Sequence, residues 1–220
     1  MNKHLIHGLS ALLASSCLIA CGSGDIEPVM TLDSHGVSTF DIEVLRRAVT
    51  RYPSDPLSKV EVESLAFMRE QEQLMHDVYA ANAGLWSVDT FAWVAEGEAS
   101  HSAAVKVLIE RYHQADPLDG LTHGHFKTPA FQNLHDSLVA ASRLSPIEAL
   151  TVAVEVQELG IRDLSDQRDK IDNADILMVY DNLLDASQGH LLASMKVLTA
   201  NGGQYVPKYI PQDTFDTLMK

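Results

Sequence analysis

The stretch "VAEGEASHSAAVKVLIERY", residues 94–112, decides how this chain is read. Its apolar residues recur at steps of three and four, the period of a helix with one buried stripe. Phe91, Val94, Val105, Leu108 and Tyr112 lie on that stripe, and so do Glu98 and His101. A carboxylate and an imidazole three residues apart are therefore aimed at a core. A buried carboxylate without a partner costs several kcal/mol or takes up a proton. The reason for the pair has to lie elsewhere in the chain.

Punctuation around this stretch divides the rest into helices. Ser58-Lys59-Val60-Glu61 is a capping-box signature, opening a helix to about Ala83 that Gly84 closes. The helix bearing Glu98 starts between Ser87 and Thr90 and continues to His113. Thr128-Pro129 opens a short helix ending near Ser142. Ser145-Pro146-Ile147-Glu148 opens a third long helix, expected to run to Leu159 and stop at Gly160, with a short helix following through residues 161–170. Asp172 or Asn173 caps a fourth, which ends at "ANGG". A short helix is also readable from Phe40 to Tyr52. No segment alternates as a strand with hairpin turns, and no fixed-period repeat occurs. The expected fold class is all-α: four long helices with short connecting helices, arranged as a bundle. Residues 1–20 read as a leader, 21–57 as a tether or lead-in, 58–200 as the bundle and 201–220 as a tail.

Each of the four long helices repeats the anomaly. The first stripe is Leu65, Met68, Glu72, Met75, Tyr79. The third is Ile147, Leu150, Val154, Glu158, Ile161. The fourth is Ile176, Val179, Leu183, Ser187, His190, Ser194, Val197. A single break is uninformative, because a lone core histidine is usually a satisfied one. Four breaks, each near the middle of its helix, call for a shared counter-charge. A divalent cation supplies it, with Glu oxygens and His nitrogens as ligands. Glu98 and His101, on one turn, can reach the same ion or two adjacent ones. A hydrogen-bonded polar core is the competing reading.

The bulk numbers narrow the classes. The chain has 220 residues, 46% of them hydrophobic, and a formal charge of −14. That balance excludes the basic footprint of a nucleic-acid binder. No Gly-rich phosphate loop, Gly-x-Ser-x-Gly elbow or Cys-x-x-Cys is present. The start, "MNKHLIHGLSALLASSCLIACGSG", has Lys3, an apolar run and then small residues, the layout of a secretory leader. Removing residues 1–20 takes the charge from −14 to −15, because Lys3 is their only formal charge. Both cysteines, Cys17 and Cys21, lie in or beside this leader, so the remaining domain has no disulfide.

Leu18-Ile19-Ala20-Cys21 resembles the lipobox of bacterial lipoproteins. The resemblance implies lipidation at Cys21, a membrane partner through that anchor and a place in the bacterial cell envelope. Gly22, rather than Asp, implies release to the outer membrane. An ordinary leader with an incidental Cys is the plainer alternative.

The four-helix pattern also has a likeness. Glu, Glu-x-x-His, Glu and a final His on four helices resemble the ferritin-like di-iron carboxylate architecture. "FMREQEQLMHDVY", "EASHSAAVKVLIERY", "EALTVAVEVQELGIRDL" and "DNADILMVYDNLLDASQGHLLASM" resemble, in order and spacing, the helices of domain-of-unknown-function family 2202, a ferritin-like family. The likeness covers about Leu57 to Val197. It implies Glu72, Glu98, His101, Glu158 and His190 as metal ligands, with Glu155 competing for the third-helix role. It implies iron, one or two ions, or another divalent metal, and oxidase or peroxidase-type chemistry if the protein is an enzyme. Two features depart from the pattern: the acidic run of the first motif is thinned to Glu70-Gln71-Glu72, and the fourth helix lacks a carboxylate. Ser187 stands where a symmetric di-iron site has a second Glu-x-x-His, which leaves the site one carboxylate short.

Other candidates are weaker. His123-Gly124-His125 has no carboxylate or Cys near it in sequence and reads as a solvated loop. His76 and His135 lie off the stripes and read as surface residues. Met68 and Met75 read as core filler. Two functions therefore stand: an envelope-anchored metal-binding bundle, or a non-catalytic structural or binding lipoprotein on the same bundle without metal. Homo-oligomerisation is compatible with both.

Overall fold

The computed structural model describes residues 27–220; the leader and Cys21 lie outside them. The elements are β1 (Met30–Leu32), β2 (Ser38–Phe40), α1 (Ile42–Val49), α2 (Lys59–Leu85), α3 (Asp89–Arg111), α4 (Pro129–Ser142), α5 (Pro146–Arg168), α6 (Ala174–Ala200) and α7 (Gln212–Leu218). Among the described residues the fold is all-α apart from one small hairpin.

The starts of the helices follow their caps. Ser58 Oγ accepts from the Glu61 amide, and Glu61 Oε2 accepts from the Ser58 amide at 2.9 Å, closing the capping box of α2. Ser145 Oγ accepts from the Glu148 amide at 3.1 Å, and Pro146 stands in the first turn of α5.

Helix α5 does not stop at Gly160 but runs on to Arg168, absorbing the short helix expected there. The glycine serves packing instead of termination. A Cβ at 160 would meet Met75 Sδ of α2 at 2.8 Å, so the methionine packs directly against the bare glycine backbone.

Helices α2, α3, α6 and α5 close a ring: α2 packs on α3 and α5, and α6 on α3 and α5. Helix α4 covers α2 and α5. Inside the ring the apolar residues form two clusters. Leu65, Met68, Val105, Leu108, Leu164, Ile176, Val179 and Leu183 belong to one. Met75, Tyr79, Phe91, Val94, Leu150, Ala153 and Leu198 belong to the other. The polar breaks of α2, α3 and α6 fall between them.

Two chain ends contribute more than the sequence pattern suggests. Strands β1 and β2 pair antiparallel, Met30 with Phe40 and Leu32 with Ser38. Asp33 Oδ1 takes the amides of His35 and Val37 to fold the turn, and Gly36 holds its left-handed backbone. Phe40, Leu45 and Val49 are buried in the bundle core. Each such side chain stabilises by roughly 1.5–3 kcal/mol. Residues 27–57 are thus an ordered part of the domain and not a free tether. At the other end, α7 buries Phe215 in the tail.

Candidate metal centre

Glu98, His101, Glu72 and His190 meet in the layer between the two apolar clusters, and all four are fully buried. Their helices put them there: α3 carries Glu98 and His101, α2 carries Glu72, and α6 carries His190. His190 Nδ1 lies 2.7 Å from Glu98 Oε1, and His101 Nδ1 lies 3.0 Å from Glu98 Oε2. The two imidazoles are stacked, with ring centroids 5.2 Å apart and planes 10° from parallel. One ligand atom from each of Glu98, His101 and His190 falls within 4.8 Å of the others. That grouping can hold a metal ion.

Two residues join this layer that the sequence pattern does not single out. Gln157 of α5 donates from Nε2 to Glu98 Oε1 at 2.6 Å. Ser38 of β2 places Oγ 3.2 Å from both His101 Nε2 and His190 Nε2. Its backbone N–H donates to His190 Nε2 at 3.2 Å. An N–H can only donate, so in this arrangement His190 Nδ1 carries the proton given to Glu98. Gly97 makes the approach possible, since a Cβ there would stand 2.8 Å from Ser38 O and 3.0 Å from the His190 ring.

Helix α5 does not bring Glu158 or Glu155 to the cluster. Glu158 is buried, but it faces the C-terminal segment and accepts from Tyr205 Oη and the amides of Lys208, Tyr209 and Ile210. Glu155 accepts from Lys208 Nζ at 2.6 Å and Tyr209 Oη at 3.0 Å. Both carboxylates anchor the tail. The α5 residue that faces the centre is one position earlier, Gln157. Ser187 is buried in α6 as its stripe requires, and its hydroxyl has no partner.

The charges are strongly coupled. Burial disfavours the Glu98 carboxylate, but His101 and His190 outweigh it and hold this carboxyl well below the usual range. Burial likewise disfavours a His101 cation, yet Glu98 and Glu72 push it up to about 10. Glu72 differs. Burial raises its carboxyl to about 7, against the pull of His101 and with the Glu98 charge adding to the rise. Its nearest basic atom, His101 Nδ1, is 3.6 Å away, beyond hydrogen-bond reach. Neither Glu72 oxygen has a partner, nor has either end of the neighbouring Gln71 amide. A buried carboxylate left unsatisfied beside two imidazoles and a second carboxylate fits a divalent cation.

The family model described as "Uncharacterized protein domain (DUF2202)" matches residues 61–220. The chain belongs to the DUF2202 family. The matched span holds Glu72, Glu98, His101, Gln157 and His190, whereas Ser38 precedes it. Among curated proteins it is similar to Uncharacterized protein MJ0754 of Methanocaldococcus jannaschii. The two are 36% identical over 171 residues, covering 78% of this chain and 92% of that protein. The crystal structure of hypothetical protein MJ0754 from Methanococcus jannaschii DSM 2661 superposes with a TM-score of 0.74. That match covers 76% of this chain and 95% of the other. The DUF2202 fold of this chain is thus shared with an archaeal relative.

Proposed function

We propose that this DUF2202 protein is a ferritin-like metal-binding protein of the bacterial envelope. Glu98, His101 and His190 would hold iron or another divalent transition metal, with Glu72 as the fourth donor. The observation that carries this reading is the Glu72 carboxylate, fully buried and without a hydrogen bond next to a ready-made oxygen and nitrogen donor set. Iron, when bound, supplies one-electron oxidation and reduction, the chemistry on which oxidases and peroxidases draw. The protein's own groups supply the rest. Glu98 and Glu72 bring negative charge into a layer walled by apolar side chains on both sides. Ser38 Oγ stands behind both imidazole rings at their Nε2 atoms, where it can accept the ring N–H of a His101 that ligates through Nδ1. Gln157 fixes one oxygen of Glu98.

The envelope placement rests on the leader and on Leu18-Ile19-Ala20-Cys21. Cys21 would carry the lipid and make the membrane the protein's partner. Loss of membrane association in Cys21→Ser is the matching test.

Metal analysis of the mature protein, purified without chelator, tests the central claim. At least about one equivalent of a transition metal is expected in the parent, and a large loss in Glu98→Ala. Metal-free protein with unchanged stability in both would sink it.

A second reading has its own observation. Glu98, His101, His190 and Ser38 already hydrogen-bond one another, and Gln157 Nε2 donates to Glu98. On that reading the layer is a polar lock in a non-catalytic binding or structural lipoprotein. It predicts the same melting temperature with and without EDTA.

A further inference from the structure

Helix α2 carries a second group of metal-ligating side chains on its outer face, away from the buried layer. His76 Nδ1 lies 2.7 Å from Asp77 Oδ1, and His123 Nδ1 lies 2.9 Å from the same oxygen. His123 comes from the loop between α3 and α4, so the group joins two parts of the chain 46 residues apart. His123 has no ligand partner adjacent to it in the chain; folding supplies Asp77.

The carboxylate is held in place. Gly124 N donates to Asp77 Oδ2 at 2.6 Å, which leaves Oδ1 facing the two imidazoles. Gly124 sits there with a left-handed backbone (φ 78°), packed under His135, whose ring would lie 3.3 Å from a Cβ at 124. The His76 and His123 rings stand with centroids 5.0 Å apart. Asp77 is almost fully buried and His76 largely so, whereas the His123 side chain is 76% exposed. The group therefore opens to solvent on one side.

Gln73 shows where a cation would go. Its Nε2 lies 2.9 Å from Asp77 Oδ1, 3.0 Å from His123 Nδ1 and 3.3 Å from His76 Nδ1. One amide nitrogen, the positive end of its dipole, thus touches all three donor atoms. Ser102 Oγ donates to the other end of that amide at 3.0 Å. The amide nitrogen stands in for a small cation at the point where the donors converge.

We propose that His76, Asp77 and His123 form a second, surface metal site for a borderline divalent transition ion, of which Zn²⁺ is the probe. Two imidazole nitrogens and one carboxylate oxygen suit such an ion and not Ca²⁺ or Mg²⁺, which take oxygen ligands. Three protein ligands with one side open leave a position for water or a further ligand. The site is independent of the buried centre and stands whether or not that centre binds metal.

The test is calorimetric titration of Zn²⁺ into the chelator-treated mature protein. The parent should take up one equivalent that His123→Gln loses or binds at least about tenfold more weakly, the scale set by even an outer partner's loss. His123 is exposed, so that variant leaves the fold in place. Gln73→Ala, which removes the competing amide, should bind Zn²⁺ as tightly as the parent or more so. Glu98→Gln should keep this equivalent, which separates it from the buried centre. A His76→Gln/His123→Gln double variant with the same Zn²⁺ stoichiometry and affinity as the parent overturns the proposal. So does a Gln73→Ala variant that no longer binds.

Discussion

His190 Nδ1 rests 2.7 Å from Glu98 Oε1, a contact that joins α6 to α3 across 92 residues. Glu98 also takes His101 and Gln157, so one carboxylate ties together three helices. Removing its charge strands the buried imidazoles. In the metal-free protein Glu98→Gln should cost about 3–5 kcal/mol, the range for breaking a buried pair on one side. The pH window follows from the two shifts. The depressed Glu98 carboxyl contributes above its unfolded value of 4.5, and the raised His101 contributes fully below 6.5 and is lost through about 10. The penalty should be largest between about pH 4.5 and 6.5. Urea denaturation of parent and variant at pH 5.5 and 9.5 checks this; equal penalties at both would contradict it.

Metal binding at the buried centre should release protons. His101 is held up to about 10 and Glu72 to about 7, and each must lose its proton to serve as a ligand. Apparent affinity should therefore climb from pH 7 to 9, by about tenfold per unit for each proton displaced. Competition titrations against a chelator of known pH behaviour measure the slope. A flat profile would mean that His101 is not a ligand.

Gly97 and Gly84 both lie within helices, yet they should respond to alanine in opposite ways. A Cβ at 97 meets Ser38 O at 2.8 Å and the His190 ring at 3.0–3.1 Å, while one at 84 meets nothing within 4 Å. Gly97→Ala should lose about 1–3 kcal/mol through overpacking. Gly84→Ala should gain about 0.5–1 kcal/mol from helix propensity. Thermal melts of the two variants give the comparison, and a neutral Gly97→Ala would show that the hairpin yields easily.

Glu158→Gln should free the tail without touching the centre. The carboxylate takes three consecutive backbone amides and the Tyr205 hydroxyl. Hydrogen bonds to a charged group contribute about 1.5–3 kcal/mol each when judged singly. Hydrogen exchange should quicken at Lys208, Tyr209 and Ile210, while metal content stays at the parent level. Loss of metal with the tail still protected would restore Glu158 to the ligand set.

Asp163 offers a contrasting sign. Burial raises its carboxyl to about 6 despite Arg162 Nε at 2.6 Å. A raised carboxyl destabilises the fold above its folded value and not below its unfolded one. Asp163→Asn should therefore stabilise by about 1–2 kcal/mol at pH 8, after discounting for the partly exposed Arg162. The gain should vanish below about pH 4. Chemical denaturation at the two pH values decides.

Glu72, Glu98, His101 and His190, four of the six residues expected as ligands, were legible as core-facing because each keeps phase with the apolar positions of its helix. Met68, Glu72 and Met75 keep phase, and so do Val94, Glu98, His101 and Val105. Helix α5 has no such clarity. Val152, Ala153, Val154, Val156, Gln157, Glu158, Leu159, Gly160 and Ile161 are all buried, so periodicity cannot say which of them faces inward. The small residues Ala149, Ala153 and Gly160 mark the tightly packed side and point to Gln157. Glu158 satisfies its charge from a tail that shows no helical period there. Ser38 was illegible for a related reason. It reaches the centre from a three-residue strand, too short to carry a pattern of its own.

The hairpin has a consequence for the order in which this chain is made. Ser38 leaves the ribosome long before its partner His190, which stands 152 positions later. Glu98, His101 and Gln157 emerge in between. No fragment that ends before α6 holds both imidazoles, and none that begins after β2 holds the serine behind them. The buried layer can assemble in full only once nearly the whole polypeptide has been delivered, so its hydrogen bonds are among the last tertiary contacts to close.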